Sequence, residues 1–363
     1  MNLIGHDAII EQFKTALGRG RLASSFLFTG PQGVGKRRFA NHLAQSVFCG
    51  ETRPEQLQPC GVCPSCQQVN ALTHPDLHII EKPTDKRDIP VDLLIGERDH
   101  RMREGLCHDI AMKPTLGGRK VAIIDDADFL NEEGANCLLK TLEEPPSSSI
   151  LILISTSPLR QLPTIRSRCQ LIRFLPLSTL QVVEVLNSLD LTHPPKDLEK
   201  AATCSNGSVK TAVDWLDQDL HDFRDTLFAQ LEAKDVTRDN FCHVLQKFVE
   251  SAGTEASDRR KRLHRILELS IEFYQAVMVW SADIAETEIA DPTPIMHAAG
   301  WCRDPELAAN CLQTCFNAQA ALNANAHIPT LIDGWMIELG KVARGEVQVL
   351  SLIHISEPTR RYE

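Results

Sequence analysis

Residues 25–44 read SFLFTGPQGVGKRRFANHLA: an apolar run of strand character, a glycine-rich turn and a helix-forming segment in immediate succession. A phosphate-binding loop requires that order. The strand delivers the chain to a turn whose backbone N–H groups face the ligand, and the helix adds positive potential at its N-terminus. Gly30, Gly33 and Gly35 let the backbone approach phosphate oxygens, and Lys36 reaches the β and γ positions. The next residue is Arg37, where a Ser or Thr hydroxyl would hold Mg²⁺. A guanidinium cannot ligate a cation, so intrinsic ATP hydrolysis is not expected. The loop is either a site for ATP or ADP or a scaffold turn that takes no nucleotide.

Outward from this loop, apolar runs alternate with helical patterns: DLHII at 76–80, VAIID at 121–125, ILILIS at 150–155 and QLIRF at 170–174. The alternation predicts an α/β fold with a parallel, doubly wound sheet in a nucleotide-binding domain over 1–175. Helix-compatible segments from Thr179 to Leu216, broken at Asn206-Gly207, predict an all-α lid at 176–216. Residues 217–350 are helical throughout, with long candidates over 256–285 and 305–323, and predict an all-α third domain. Residues 351–363, SLIHISEPTRRYE, break with that pattern and resemble a translated adaptor read; a non-native or disordered tail is expected there.

The segment KVAIIDDADFL at 120–130 is a buried strand ending in acids. Asp125 stands where a carboxylate associates with Mg²⁺, and Asp126 where a longer Glu would orient the attacking water. The shorter Asp126 is a second mark against hydrolysis. Thr156 closes the next apolar strand, where a polar group would lie beside a γ-phosphate.

Composition narrows the function classes. With 363 residues and 43% hydrophobic content, the chain has material for two or three cores. A formal charge of −10 argues against a stand-alone nucleic-acid binder, so DNA contacts should be local or shared. No apolar stretch reaches membrane-spanning length and the opening MNLIGHDAII has no signal-peptide core, so a cytoplasmic protein without membrane contact is expected.

Three stretches in order, TGPQGVGK at 29–36, ANCLLKTLEEPP at 135–146 and TIRSRC at 164–169, resemble the AAA+ clamp-loader subunits of bacterial DNA polymerase III. The resemblance spans most of residues 1–216. It implies that Arg168 is an arginine finger acting in trans on ATP held by a neighbour, a task suited to a permanently charged group with several donors. It also implies that Asn136, Lys140 and Glu143 shape the helix leading to that interface, that Lys210 lies near a second nucleotide-sensing position, and that the third domain joins an oligomeric collar.

Cys49, Cys60, Cys63 and Cys66 give C-x10-C-x2-C-x2-C, with Gly61 and Pro64 permitting tight turns. Four thiolates make a closed tetrahedral site for structural Zn²⁺ that pins an insertion at 49–66. An iron–sulfur cluster is the alternative, which the resemblance disfavours. Cys107, Cys137, Cys169, Cys204, Cys242, Cys302, Cys311 and Cys315 show no such grouping and are expected as small core residues.

The departures at Arg37 and Asp126 direct the resemblance to the family's δ′ branch. Such a chain would belong to the DNA-directed DNA polymerase holoenzyme without being an evident ATPase. Its implied partners are γ/τ-type ATPase subunits, a δ-type subunit, and, through the assembly, the sliding clamp and primed DNA. Two alternatives stay open: a γ/τ-type ATPase subunit, for which an intact GKT or GKS is expected, and an independent ATP-driven DNA remodeller.

Overall fold

A computed structural model describes residues 3–346 apart from 84–85, 102, 117, 190, 192, 234–240, 282–292 and 303–304. The tail at 351–363 lies outside the described residues. The chain divides into two compact units, at Asp217 and Gln218.

The first unit begins with α1 (Asp7–Gly18), then β1 (Ser25–Thr29) and α2 (Lys36–Phe48). Next come α3 (Pro64–Asn70), β2 (Leu77–Ile80), α4 (Val91–Ile95), α5 (Leu106–Ala111), β3 (Lys120–Ile124), α6 (Glu132–Glu143), β4 (Ser149–Ser155), α7 (Pro163–Arg166) and β5 (Gln170–Arg173). The strands form one sheet in the order β2-β3-β4-β1-β5, every pairing parallel, with Phe26 opposite Ile152 and Ile123 opposite Ile152 from the other side.

Helices cover both faces, which explains why the central strands are continuously apolar rather than alternating. On β1, Phe26 and Phe28 enter a core with Phe13 of α1 and Phe39 and Leu43 of α2, while Leu27 points to a second core with Leu94, Ile110 and Leu138. On β4, Ile150, Ile152 and Ile154 face the first core, Leu151 and Leu153 the second. This is the period of two expected of a strand, applied with apolar residues on both sides.

At the start of β2, the buried Asp76 accepts hydrogen bonds from the amides of Thr115 at 2.7 Å and Leu116 at 3.0 Å. The Lys120 ammonium lies 3.8 Å away, itself buried. Burial alone would raise the Asp76 pKa; the Leu116 and Thr115 amides and Lys120 outweigh it and hold the carboxyl below its ordinary range.

The unit ends with α8 (Thr179–Asn187), α9 (Pro195–Cys204) and α10 (Val209–Trp215). Ser178 and Gln181 cap α8 reciprocally, fixing its entry. The three helices pack through Leu177, Val182, Leu186, Leu198, Ala202 and Ala212.

The second unit is helical among its described residues: α11 (Gln218–Leu231), α12 (Phe241–Glu250), α13 (Ala256–Ser281), α14 (Thr293–Trp301), α15 (Pro305–Asn323) and α16 (Ile328–Ala343). Its core gathers Leu263, Ile266, Phe273, Tyr274 and Val277 of α13 with Cys311 and Cys315 of α15 and Trp335, Met336 and Leu339 of α16. Of the cysteines expected in cores, Cys107, Cys302, Cys311 and Cys315 are buried; Cys137, Cys169 and Cys242 are half-buried against the edges of the cores, and Cys204 is half-buried outside them. No helix among the described residues is long and apolar enough to cross a membrane.

Candidate functional site

The turn between β1 and α2 opens a cleft of about 720 Å³ in the first unit. Its lining combines the loop residues 32–38 with Asp125, Asp126, Asp128 and Thr156 from the strand ends, and with the apolar side chains of Leu3, Ile4, Leu177, Val185 and Leu189. Polar donors beside apolar walls suit a ligand with a charged tail and a flat hydrophobic head.

Gly30 and Gly33 are required by close approach. A Cβ on Gly30 would collide with the Phe174 carbonyl, and one on Gly33 would meet Ser208 and stand 2.8 Å from the Lys210 amide nitrogen. Both adopt positive φ, 146° and 72°. The Val209 amide donates to the Gly33 carbonyl at 3.0 Å, so α10 rests on the loop itself. Lys210 donates to Gln32 Oε1 at 3.2 Å from the same helix. Gly35 precedes α2, also at positive φ, and the Lys36 ammonium turns back to donate to the carbonyls of Gly30 and Pro31 at 2.6 Å each. Burial draws the Lys36 pKa below its usual value despite Asp128 and Asp125 nearby.

Arg37 does not point to solvent. It donates to Asp125 Oδ2 at 2.6 Å and to Glu81 Oε1, joining the ends of β2 and β3 to the first turn of α2. The Mg²⁺ of a phosphate-loop ATPase does not fit these residues: the hydroxyl ligand is replaced by a cation, and that cation occupies the expected carboxylate. Asp126 has a left-handed backbone, φ 54°, and burial followed by the charge of Asp125 pushes its pKa up. Thr156 donates to Asp128 Oδ2 from its amide at 2.8 Å and its hydroxyl at 2.5 Å; Ser155 and Gln161 also donate to Asp128.

Gly33, Gly35, Lys36, Asp125 and Thr156 therefore converge on one cleft, whereas Gly30 does not line it and contributes its carbonyl as an acceptor for Lys36. Glu81 and Asp128 were not singled out from the sequence. Glu81 follows the apolar run of β2 directly, and a carboxylate at a strand end was the available signal. Asp128 belongs to the acidic run already noticed, but its role as acceptor for Thr156 depends on β3 and β4 being neighbours.

Arg168 lies away from that cleft, just after α7. It donates to the Thr164 carbonyl at 2.9 Å and to Glu143 Oε1 at 2.6 Å, with the guanidinium a third exposed. The pair ties the loop after α7 to the last residue of α6. A pair this exposed is weak, and the guanidinium can exchange Glu143 for another anion at small cost.

The four cysteines come together where α2 ends and α3 begins. Their sulfurs all lie within 4.8 Å of one another, with Cys60–Cys66 and Cys63–Cys49 at 4.0 Å. A tetrahedral metal with bonds of about 2.3 Å sets its sulfurs about 3.8 Å apart, so the donor set fits. The amides of Cys63 and Cys66 donate to the sulfurs of Cys60 and Cys63 at 3.3 and 3.5 Å. Such N–H···S bonds favour thiolates: against its burial the Cys49 thiol is lowered to about 6 chiefly by backbone donors, and Cys63 is lowered first by the Cys66 amide, whereas burial pushes the Cys66 thiol up.

Residues 5–178 match the family model described as DNA polymerase III, delta subunit. The δ′ subunit of DNA polymerase III from Pseudomonas aeruginosa is 38% identical over 196 residues, 54% of this chain and 56% of that protein. The Bacillus subtilis δ′ subunit is 32% identical over 184 residues, 51% of this chain and 52% of that one. The Escherichia coli τ subunit is 30% identical over 221 residues, 60% of this chain and 32% of that one. The chain spans about half the length of the δ′ relatives it matches. Over this stretch it is similar to δ′-type subunits of DNA polymerase III.

Proposed function

We propose that the chain is a δ′-type subunit of the DNA polymerase III clamp loader, a non-hydrolysing member that completes a neighbour's active site. The observation that carries this reading is the ion pair between Arg37 and Asp125. Within an otherwise well-formed phosphate loop, it sets a positive charge against the carboxylate that hydrolysis needs for its metal. The likeness to δ′ relatives supports the same branch.

In this reading Arg168 serves ATP on an adjacent γ/τ-type subunit, exchanging Glu143 for phosphoryl oxygens as the interface closes. The second, helical unit packs into a collar, with δ-type and γ/τ-type subunits alongside it, and the assembly acts on the sliding clamp and primed DNA in the cytoplasm. The cleft at Gly30, Gly33, Gly35 and Lys36 holds ATP or ADP without turning it over. Cys49, Cys60, Cys63 and Cys66 hold Zn²⁺ as a structural tie; the ion would fix α2 to α3 and leave no coordination position for water.

The match to the τ subunit over 221 residues favours a second reading, that of an ATPase subunit. Steady-state hydrolysis by the purified chain separates the two. The expected result is no turnover above background with or without primed DNA; a rate abolished by Lys36→Ala supports the γ/τ-type reading instead.

A further inference from the structure

Three segments meet around one guanidinium. Arg37, at the start of α2, bonds to Asp125 beyond β3 at 2.6 Å and to Glu81 beyond β2. In a phosphate-loop site the space between the residue after the lysine and the strand-end carboxylate belongs to a divalent cation. Here the side chain brings the positive charge itself and closes on that carboxylate. A cation entering would have to break a charge-assisted pair and then sit beside a group that does not give up its proton.

Of the other acids that line the cleft, Asp128 offers no replacement site. Asp128 receives donors from Thr156, Ser155 and Gln161, so its lone pairs are committed. The cleft nonetheless keeps the features that hold phosphates: the turn with its helix N-terminus, Lys36, and Lys210 on the helix resting over it. A guanidinium has five N–H donors, and contacts with Asp125 and Glu81 leave some for phosphate oxygens.

We propose that Arg37 stands in for the divalent cation, so that this cleft takes a nucleoside di- or triphosphate free of metal. Guanidinium and ammonium groups offset the charge that Mg²⁺ would otherwise neutralise. The proposal rests on the reading of the loop as a nucleotide cleft and is independent of the role of Arg168.

Calorimetric titration of the full chain with ADP and with a slowly hydrolysed ATP analogue tests it. Both are titrated in Mg²⁺-depleted buffer and in buffer with saturating Mg²⁺. Depletion is by resin, since a soluble chelator would attack the cysteine site. The expected result is wild-type affinity without Mg²⁺ equal to or above that with it. In Arg37→Thr, which restores a hydroxyl and frees Asp125, Mg²⁺ should tighten binding about tenfold or more. Arg37→Lys keeps the charge and should keep the indifference to Mg²⁺. Wild-type binding that Mg²⁺ tightens about tenfold overturns this inference alone. An Arg37→Thr chain that binds but stays indifferent to Mg²⁺ overturns it as well. Absence of binding to wild type in both buffers overturns it together with the nucleotide reading of the cleft. Should Arg37→Thr fail to fold, as judged by its melting curve, the wild-type comparison decides.

Discussion

Gly33 leaves no room for a side chain, because Ser208 and Lys210 at the start of α10 come down on its α-carbon. Its positive φ adds a strain of about 1–2 kcal/mol for any other residue. Gly33→Ala should therefore lower the melting temperature, with a loss of about 2 kcal/mol or more, and expose the chain near Asn206 and Gly207 to limited proteolysis. An unchanged melt and digestion pattern would show that the seating of α10 on the loop contributes little. Asp76 makes a different prediction, through pH. Its native pKa lies below the ordinary value, so as pH falls the unfolded chain takes the proton first. Its contribution is complete above the unfolded pKa of about 4 and disappears as pH drops through the lower native value. Asp76→Asn should cost about 3 kcal/mol near neutral pH by leaving Lys120 buried without its partner. It should also flatten the acid limb of the stability curve below about pH 4, and urea midpoints measured from pH 2 to 7 would display both effects.

The elements show what sequence can and cannot convey. The strands were legible because β1, β3 and β4 are apolar on both faces, and the break between α9 and α10 was legible because Asn206-Gly207 adopts two successive positive φ angles. The clustering of four thiols was legible from spacing, since C-x2-C-x2-C wraps one turn entering α3 and Cys49 closes α2. Glu81 was not legible as a partner of Arg37, 44 residues away, because only the parallel pairing of β2 with β3 sets their ends side by side. The engagement of Thr156 by Asp128 was hidden likewise, for it depends on β3 lying next to β4. The cysteine site yields a prediction at this scale. Metal analysis should find one tightly held zinc per chain, and the double variant Cys60→Ser with Cys63→Ser should lose it. The variant should melt at lower temperature while keeping the strand signal in circular dichroism, because the site ties α2 to α3 and not the sheet. Substoichiometric metal in the wild-type chain would refute the site.

For the whole molecule, each unit has a core of its own: the sheet with its two covered faces, and the bundle around α13. Residues 1–217 produced alone should melt cooperatively and retain the metal; a molten fragment would show that the division at Asp217 is not one of folding. In the function proposed above, this chain lends Arg168 to a neighbour's ATP while hydrolysing none itself. ATP turnover by a loader reconstituted with γ/τ-type and δ-type subunits, stimulated by clamp and primed DNA, should be measured with either this chain or its Arg168→Ala variant. A loss of at least about tenfold is expected with the variant while gel filtration shows the assembly intact, in keeping with what arginine fingers supply to phosphoryl transfer. Unchanged turnover by an intact assembly would contradict it.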